Sequence, residues 1–151
     1  MTDAVKLLAD NRRARYEYFI EDTLECGISL KGTEVKSMKA AHFSFNDAWV
    51  ELSNGELWLR NVHINPYAQA SSGMEHDPDR KKRLLAHREE IRKLRRKVEE
   101  KGFTLIPLKF HLKNGLIKVE IGLCKGKKEY DKRENLKEKD WKREKEREFR
   151  G

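Results

Sequence analysis

The stretch DAWVELSNGELWLR, residues 47–60, is the part of the sequence that most restricts the fold. Apolar residues alternate with other residue types on both sides of Asn54 and Gly55. An Asn-Gly pair between two such segments is typical of a hairpin turn, because both turn positions need positive φ. The stretch therefore predicts an antiparallel hairpin with Trp49 and Trp58 on its outward face. There the two rings would either offer stacking surfaces to a partner or cover a second small core.

Further strands are predicted on both sides of this hairpin. We expect a strand over 16–21, extended chain over 27–30, and a short helix over 32–38 that Thr33 caps. Two late strands are joined by a turn over 113–115, and Pro107 in the first of them predicts a bulge or an edge. The buried faces of these two strands are expected to be Thr104, Ile106, Leu108 and Phe110, followed by Ile117, Val119, Ile121 and Leu123.

A long helix is predicted between the hairpin and the late strands. Asp77 is a favourable N-cap, and Pro78 suits the first helical position. Gly102 is placed to end the helix in the left-handed conformation. Its apolar stripe is expected to consist of Leu84, Ile91, Leu94 and Val98.

These elements together predict a mainly β fold with helices. Five or six short antiparallel strands fit a small closed barrel of the OB type, because closure removes the exposed edges of short polar strands. One long inserted helix and one short helix would accompany the barrel. We expect an OB-like barrel domain over 1–130 and a charged basic tail over 131–151.

The tail is the least apolar part of the chain. From Gly126 to Gly151 it contains 11 Lys or Arg and 8 Asp or Glu, with few large apolar side chains, Trp141 among them. So few apolar groups cannot offset the entropy of ordering the segment alone. Lys, Glu and Arg are nevertheless good helix formers. We therefore expect a tail that is disordered in isolation and becomes helical on a partner.

Charge is distributed unevenly along the chain. Residues 1–79 hold 8 basic and 13 acidic side chains, whereas residues 80–101 hold 11 and 4, and residues 102–151 hold 15 and 9. A polarised molecule of this kind indicates a polyanionic partner, of which nucleic acid is the commonest. The sequence contains no apolar run long enough to span a membrane, and we expect no amino-terminal signal. Cys26 and Cys124 are expected to be free thiols of a cytoplasmic protein, in preference to a disulfide.

No catalytic, metal or cofactor site is predicted. The five histidines are scattered, and none has the spacing of a metal-ligand motif. A small RNA-processing enzyme that uses His63 or His111 as an acid–base group would lack a second catalytic residue.

The nucleic-acid signals are denser. Arg12, Arg13 and Arg15 come directly after Asn11 and beside Tyr16, and the run 80–83 and the long helix are strongly cationic. Guanidinium groups suit phosphate, and interleaved aromatic rings offer stacking surfaces for bases. A solvated charged face is the structural alternative for the helix.

Several blocks occur in an order that resembles a known family. They are NRRAR at 11–15, ECGISL at 25–30, GTEVKS at 32–37, NGE at 54–56, DPDR at 77–80, RLL at 83–85 and GKKEYDKR at 126–133. In order and spacing they resemble the bacterial tmRNA-binding proteins of trans-translation, the small protein B or SsrA-binding protein family. The resemblance covers nearly the whole chain from Asn11 onward.

The resemblance implies a monomeric RNA-binding protein that binds the tRNA-like domain of tmRNA. It would deliver tmRNA, with elongation factor Tu bound to alanyl-tmRNA, to stalled ribosomes. The barrel would stand where an anticodon arm normally sits, with the tail in the empty mRNA channel. The positions that match tmRNA contacts are Asn11, Glu25, Leu85 and Lys118, with Arg12, Arg13 and Arg15 nearby. Those that match ribosome-engaging positions are Tyr16, Gly126, Lys127, Lys128, Tyr130, Asp131, Lys132, Arg133 and Trp141.

Residue types suggest how three of these side chains act. The carboxylate of Glu25 can accept hydrogen bonds from bases or 2′-hydroxyls, which favours selectivity. Lys118 points away from the core by alternation and can meet phosphate, and Leu85 can pack on exposed bases. The alternative hypothesis is a general OB-type RNA-binding or ribosomal protein without a dedicated RNA.

Overall fold

A computed structural model of the protein describes residues 5–70, 73–100 and 102–127. The described part of the chain contains nine strands and three helices. In chain order they are β1 Val5–Asp10, α1 Arg12–Glu17, β2 Tyr18–Ile28, α2 Gly32–Lys39, β3 Phe43–Ser44, β4 Trp49–Ser53, β5 Glu56–Arg60, β6 His63–Ile64, β7 Lys82–Leu85, α3 Arg88–Val98, β8 Phe103–Lys113 and β9 Leu116–Gly126. The predicted mainly β class with helices is therefore confirmed.

The main sheet has seven antiparallel strands in the order β1-β8-β4-β5-β7-β2-β9. In addition, β8 pairs with β9 along its whole length, from Phe103 opposite Lys125 to Lys113 opposite Leu116. The two short strands β3 and β6 form a separate pair.

The hairpin of residues 47–60 is confirmed. In β4 and β5, Val50 lies opposite Leu59, and the turn residues Asn54 and Gly55 have φ values of 52° and 73°. Val50 and Leu59 are buried in the core, whereas Trp49 is 39% exposed, as the alternation predicts.

The predicted strand over 16–21 and the extended segment over 27–30 are corrected. Residues 12–17 form the helix α1, and a single strand, β2, then runs from Tyr18 to Ile28. The side chain of Asn11 accepts a hydrogen bond from the backbone N–H of Ala14 at 3.1 Å and so caps α1. Ala14 is buried against Ile106, which stabilises this short helix by tertiary packing.

The long helix predicted from Asp77 to Gly102 is wrong in its first half. Residues 82–85 form β7, and α3 spans only Arg88–Val98, with its N-cap at His87. Leu84 belongs to the core as a strand residue opposite Leu57. Leu84 and Ile91 are spaced at i and i+7, which fits a helical stripe, but Leu84 is buried between the exposed residues Arg83 and Leu85 of a strand. Gly102 does adopt the left-handed conformation predicted for it, with φ of 88°.

The strand β8 buries residues on both of its faces. Leu105 and Phe110 join the main core, whereas Ile106 and Leu108 pack with Ala14 in a smaller cluster under α1. A change of register after Pro107 moves the buried side chains from one face to the other. The bulge predicted at Pro107 is confirmed, and the single buried face predicted for this strand is wrong. By contrast, all four apolar positions predicted for β9 lie in the main core.

One close approach in β9 depends on a glycine. A Cβ on Gly122 would lie 2.7 Å from the Cδ1 of Leu108, so glycine lets β8 and the cluster under α1 pack closely. Cys124 is buried in the same cluster and, like Cys26, is a free thiol, as predicted. Burial raises the pKa of Cys124 to about 11. For Cys26, burial and the neighbouring carboxylates of Glu90 and Glu25 raise the pKa to about 12.

A buried polar cluster lies under α2. The carboxylate of Glu34 is fully buried and accepts hydrogen bonds from Arg80 at 2.6 Å and from the backbone N–H of Lys31 at 2.7 Å. Burial opposes ionisation of Glu34, but these hydrogen bonds and the nearby charges outweigh it, and its pKa is lowered. Lys31 is the N-cap of α2, so the prediction that Thr33 caps this helix is wrong.

His76 and Lys82 complete this cluster. One ring nitrogen of His76 lies 2.8 Å from the hydroxyl of Thr33, and the ammonium of Lys82 donates to the carbonyl of Val62 at 2.8 Å. The cluster therefore connects α2, the loop before β7 and β7 itself.

Among residues 5–70, 73–100 and 102–127, no helix is long and apolar enough to cross a membrane. The predicted tail over 131–151 lies outside the described residues.

Candidate nucleic-acid interface

Three predicted RNA-binding residues lie on the outer face of β2, β7 and β9. Gly27 in β2 is opposite Leu85 in β7 on one side and opposite Lys118 in β9 on the other. Leu85 is 50% exposed although it is apolar. A Cβ on Gly27 would lie 3.3 Å from the Cβ of Leu85 and 3.7 Å from the Nζ of Lys118. Glycine therefore lets these two side chains lie close together over the strand.

Glu25 lies two residues from Gly27 on the same face. Its carboxylate is 3.4 Å from the Nε2 of His111 and 3.7 Å from the Nζ of Lys113. The side chain of Glu25 is 44% exposed, so it can still accept hydrogen bonds from an RNA. We call the group Glu25, Gly27, Leu85, His111 and Lys118 the Leu85 surface.

Sequence reasoning missed His111 and Lys113 as neighbours of Glu25. The sequence did indicate that His111 lies opposite Lys118, because the turn at Asn114 and Gly115 sets the pairing of β8 and β9. The proximity of Glu25 could not be found in this way, because it comes from β2, which is remote in sequence.

The residues around α1 form a second group. Besides capping α1, Asn11 donates from its side chain to the carbonyl of Pro107 at 2.9 Å, so most of its polar capacity is used within the protein. Arg13 pairs with Glu17 at 2.8 Å, and Arg15 pairs with Asp10 at 3.2 Å. Arg12, Arg13 and Arg15 remain exposed, so their guanidinium groups are accessible to phosphate.

Three predicted ribosome-engaging residues lie beside this group. Tyr16 is in α1, and Gly126 is opposite Tyr18 at the end of β9. Lys127 donates from its backbone to the carbonyl of Glu17 at 2.9 Å, and its Nζ lies 4.9 Å from the centre of the Phe19 ring. The other predicted ribosome-engaging residues lie outside the described part of the chain: Lys128, Tyr130, Asp131, Lys132, Arg133 and Trp141.

The two groups are well separated. Lys118 and Gly126 are eight residues apart in β9, which is roughly 26 Å along a strand. Asn11 contacts Pro107, which is opposite Ile121 in β9, so Asn11 lies at a level between Lys118 and Gly126. The structure therefore does not bring Asn11 and its neighbouring arginines directly to the Leu85 surface.

The cationic run 80–83 is divided between the inside and the outside of the protein. Arg80 binds the buried Glu34, and Lys82 is fully buried, where burial lowers its pKa to about 8. Only Lys81 and Arg83 face outward, with the Nζ of Lys81 lying 4.5 Å from the centre of the Trp58 ring. The prediction that this run forms part of a cationic helix is wrong.

The described residues contain no group of three or more His, Cys, Asp or Glu side chains arranged to hold a metal ion. His63 forms a pair with Asp79 at 2.9 Å on the surface, and His111 pairs with Glu25.

Comparison with known proteins gives a consistent result. A family model described as "SmpB protein" matches residues 8–151. The chain is 58% identical to the SsrA-binding protein of Treponema pallidum strain Nichols over 134 residues, which are 89% of this chain and 86% of that protein. It is 52% identical to the SsrA-binding protein of Bacillus subtilis strain 168 over 145 residues, 96% of this chain and 92% of that protein.

A solved structure gives a match to the fold as well. It is described as "tmRNA-SmpB: a journey to the center of the bacterial ribosome", and the matching chain is 46% identical with a TM-score of 0.67. The match covers 82% of this chain and 87% of that one.

Proposed function

This chain belongs to the SmpB protein family, and we propose that it binds tmRNA and acts with it on the ribosome in trans-translation. The observation that carries this proposal is the Leu85 surface. An exposed leucine, a lysine and a carboxylate lie together there on three paired strands. This combination suits a folded RNA, which exposes both unstacked bases and its sugar–phosphate backbone.

Each side chain of the surface has a separate role. Leu85 packs on exposed bases of the tRNA-like domain, and Lys118 meets a phosphate. Glu25 accepts from base amino groups or 2′-hydroxyls, which phosphate-binding residues cannot do. His111 and Lys113 hold its carboxylate in place and offset the cost of bringing a negative charge to an RNA.

The other end of the molecule engages the ribosome in this proposal. Tyr16, Gly126 and Lys127 stand where the chain leaves β9, and residues 128–133 continue from that point. The tail over 131–151, including Trp141, enters the empty mRNA channel and becomes helical there. The protein acts as a monomer in the cytoplasm, in the position of an anticodon arm, and elongation factor Tu joins it through alanyl-tmRNA.

The fold proposed for this role is a closed OB-like barrel over 1–130. The pairing of β8 with β9 supports it, because it joins two strands that are far apart in the order of the sheet. A closed sheet would hold the three strands of the Leu85 surface in a constant geometry.

Two measurements test the proposal. Binding of labelled tRNA-like domain is first competed with excess bulk tRNA, which removes a generic basic binder but leaves a dedicated partner bound. Affinities of Glu25→Ala and Lys118→Ala are then measured against salt concentration. Lys118→Ala reduces the log–log salt slope by roughly 0.7 to 0.9, because about one counterion fewer is released.

Glu25→Ala leaves the salt slope unchanged or makes it steeper, and it narrows the difference in affinity between tmRNA and bulk tRNA. Complete displacement of the wild type by bulk tRNA would refute the proposal in favour of a general RNA-binding protein. Equal slope changes with unaltered discrimination would refute the separate roles of the two residues.

A further inference from the structure

An arginine-lined groove lies next to the Leu85 surface. It runs between α3 and the turn that joins β4 to β5, has a volume of about 550 Å³, and is lined by Arg83, Arg88, Arg92 and Arg95. Arg88, Arg92 and Arg95 are spaced at i, i+4 and i+7, so they follow one side of the helix. They span roughly 10.5 Å along the helix axis.

The positive charge of this groove is largely uncompensated. Within the described ranges, neither Arg88 nor Arg92 takes part in an ion pair. Arg83 pairs with Glu56 at 3.3 Å, and Arg95 pairs with Glu99 at 3.2 Å, with at least 38% of each side chain exposed. Exposed pairs of this kind are weak in water, so an anion can replace the carboxylate. All four guanidinium groups can therefore bind an anion.

The groove continues directly from the Leu85 surface. Arg83 and Leu85 are two residues apart in β7, both are exposed, and both therefore lie on its outer face, at a separation of roughly 7 Å. Trp58 lies opposite Arg83 on the neighbouring strand, with Lys81 over its ring. A polyanion that contacts Leu85 and continues across β7 arrives at the groove without leaving the protein surface.

We propose that this groove binds the backbone phosphates of a second stretch of the same tmRNA that contacts the Leu85 surface. The inference rests on the proposed function and extends it by assigning Arg88 and Arg92 as phosphate-binding residues. Guanidinium groups bind phosphate in a bidentate manner, and such contacts position an RNA without reading its sequence. Continuity with the Leu85 surface favours tmRNA as the occupant over ribosomal RNA.

The test measures binding of the tRNA-like domain by the full chain at 50 and 200 mM salt. Arg88→Gln/Arg92→Gln removes two phosphate contacts and lowers the salt slope by roughly 1.4 to 1.8. Between these two concentrations, the wild type then loses about 7- to 12-fold more affinity than the double variant. Lys93→Gln/Arg96→Gln is the matched control, because it removes the same charge from exposed positions of α3 that do not line the groove. We expect its slope to equal that of the wild type.

Two further arms separate the possible failures. Arg88→Lys/Arg92→Lys keeps the charge and retains the slope, and thermal unfolding of each variant shows that α3 is still folded. Equal slopes for the groove and control variants would overturn the inference. Binding of the groove variant to ribosomes free of tmRNA is measured as well. If the groove variant loses affinity only for these ribosomes, the inference is also overturned, since the occupant would then be ribosomal RNA. Neither result affects preferential binding of the wild type to tmRNA over bulk tRNA, which tests the proposed function separately.

Discussion

Replacing Arg80 with alanine tests the physical role of the buried cluster under α2. The Glu34 carboxylate is fully buried, and its Oε1 accepts from the Arg80 guanidinium at 2.6 Å. Arg80→Ala removes this partner and leaves a negative charge inside the protein. Breaking a buried pair in this way typically costs about 3 to 5 kcal/mol. Lys82 lies close enough to act on the charge of Glu34 and compensates in part, so we expect the lower value, about 3 kcal/mol.

The loss of unfolding free energy in Arg80→Ala depends on pH, because Glu34 titrates. In the wild type its lowered pKa means that the ionised carboxylate stabilises the fold above the unfolded pKa, near 4.5. Without Arg80, burial dominates and raises the folded pKa of Glu34. The variant is then destabilised most at neutral pH. Its difference from the wild type begins to shrink as the pH falls through the raised folded pKa of Glu34 in the variant, above 4.5, and continues to shrink down to the lowered folded pKa in the wild type.

Urea unfolding followed by circular dichroism at pH 7 and pH 4 measures both effects. Arg60→Ala is the control, because Arg60 pairs with Glu51 at 2.7 Å with 39% and 33% of the two side chains exposed. That variant is expected to lose less than about 1 kcal/mol, with little dependence on pH. If Arg80→Ala is no more destabilising than Arg60→Ala, or equally so at both pH values, the reasoning about the buried carboxylate is refuted.

Three other predictions concern separate parts of the molecule. Burial lowers the pKa of Lys82 from 10.5 to about 8. The unfolding free energy of the wild type therefore gains a contribution from Lys82 as the pH rises from about 8 to 10.5, because only the unfolded state still holds the proton. Urea unfolding of Lys82→Met over this pH range lacks that increase. Gly27→Ala pushes Leu85 and Lys118 apart, so tmRNA affinity falls several-fold with little change in melting temperature; unchanged affinity would contradict this. Truncation after Tyr130 leaves stability and tmRNA affinity nearly intact but abolishes tagging in a reconstituted trans-translation assay, and normal tagging would show that the tail is dispensable.

The sequence predicted those parts of the site that depend on local pairing. The outward direction of Lys118 followed from alternation in β9, and the turn at Asn114 and Gly115 contained the information that His111 lies opposite it. The convergence of Glu25, Leu85 and Lys118 could be inferred only from the family resemblance. Their contact arises from pairing between β2 and strands at least 50 residues away in sequence, and alternation carries no information on strand partners.

The largest error of sequence reasoning, the helix begun at Asp77, has a related cause. The local rules for a capped helix are satisfied by Asp77, Pro78 and Leu84. The chain is stabilised more, however, when Leu84 is buried in the sheet opposite Leu57 and Ile28. Burial in a sheet between two strands outweighs helix propensities of a few tenths of a kcal/mol per residue.

Local patterns were sufficient to predict the mainly β class, the hairpin over 47–60, the β8–β9 turn, the core face of β9 and a bulge or edge at Pro107, because each depends on neighbours within a few residues. Three features emerge only in the folded chain: Lys82 and Glu34 are internal, β8 buries both of its faces, and Arg83 continues the Leu85 surface into the groove of α3. A charged residue is placed in the core by the distant partners that satisfy its charge, and these partners are brought together only when the chain folds.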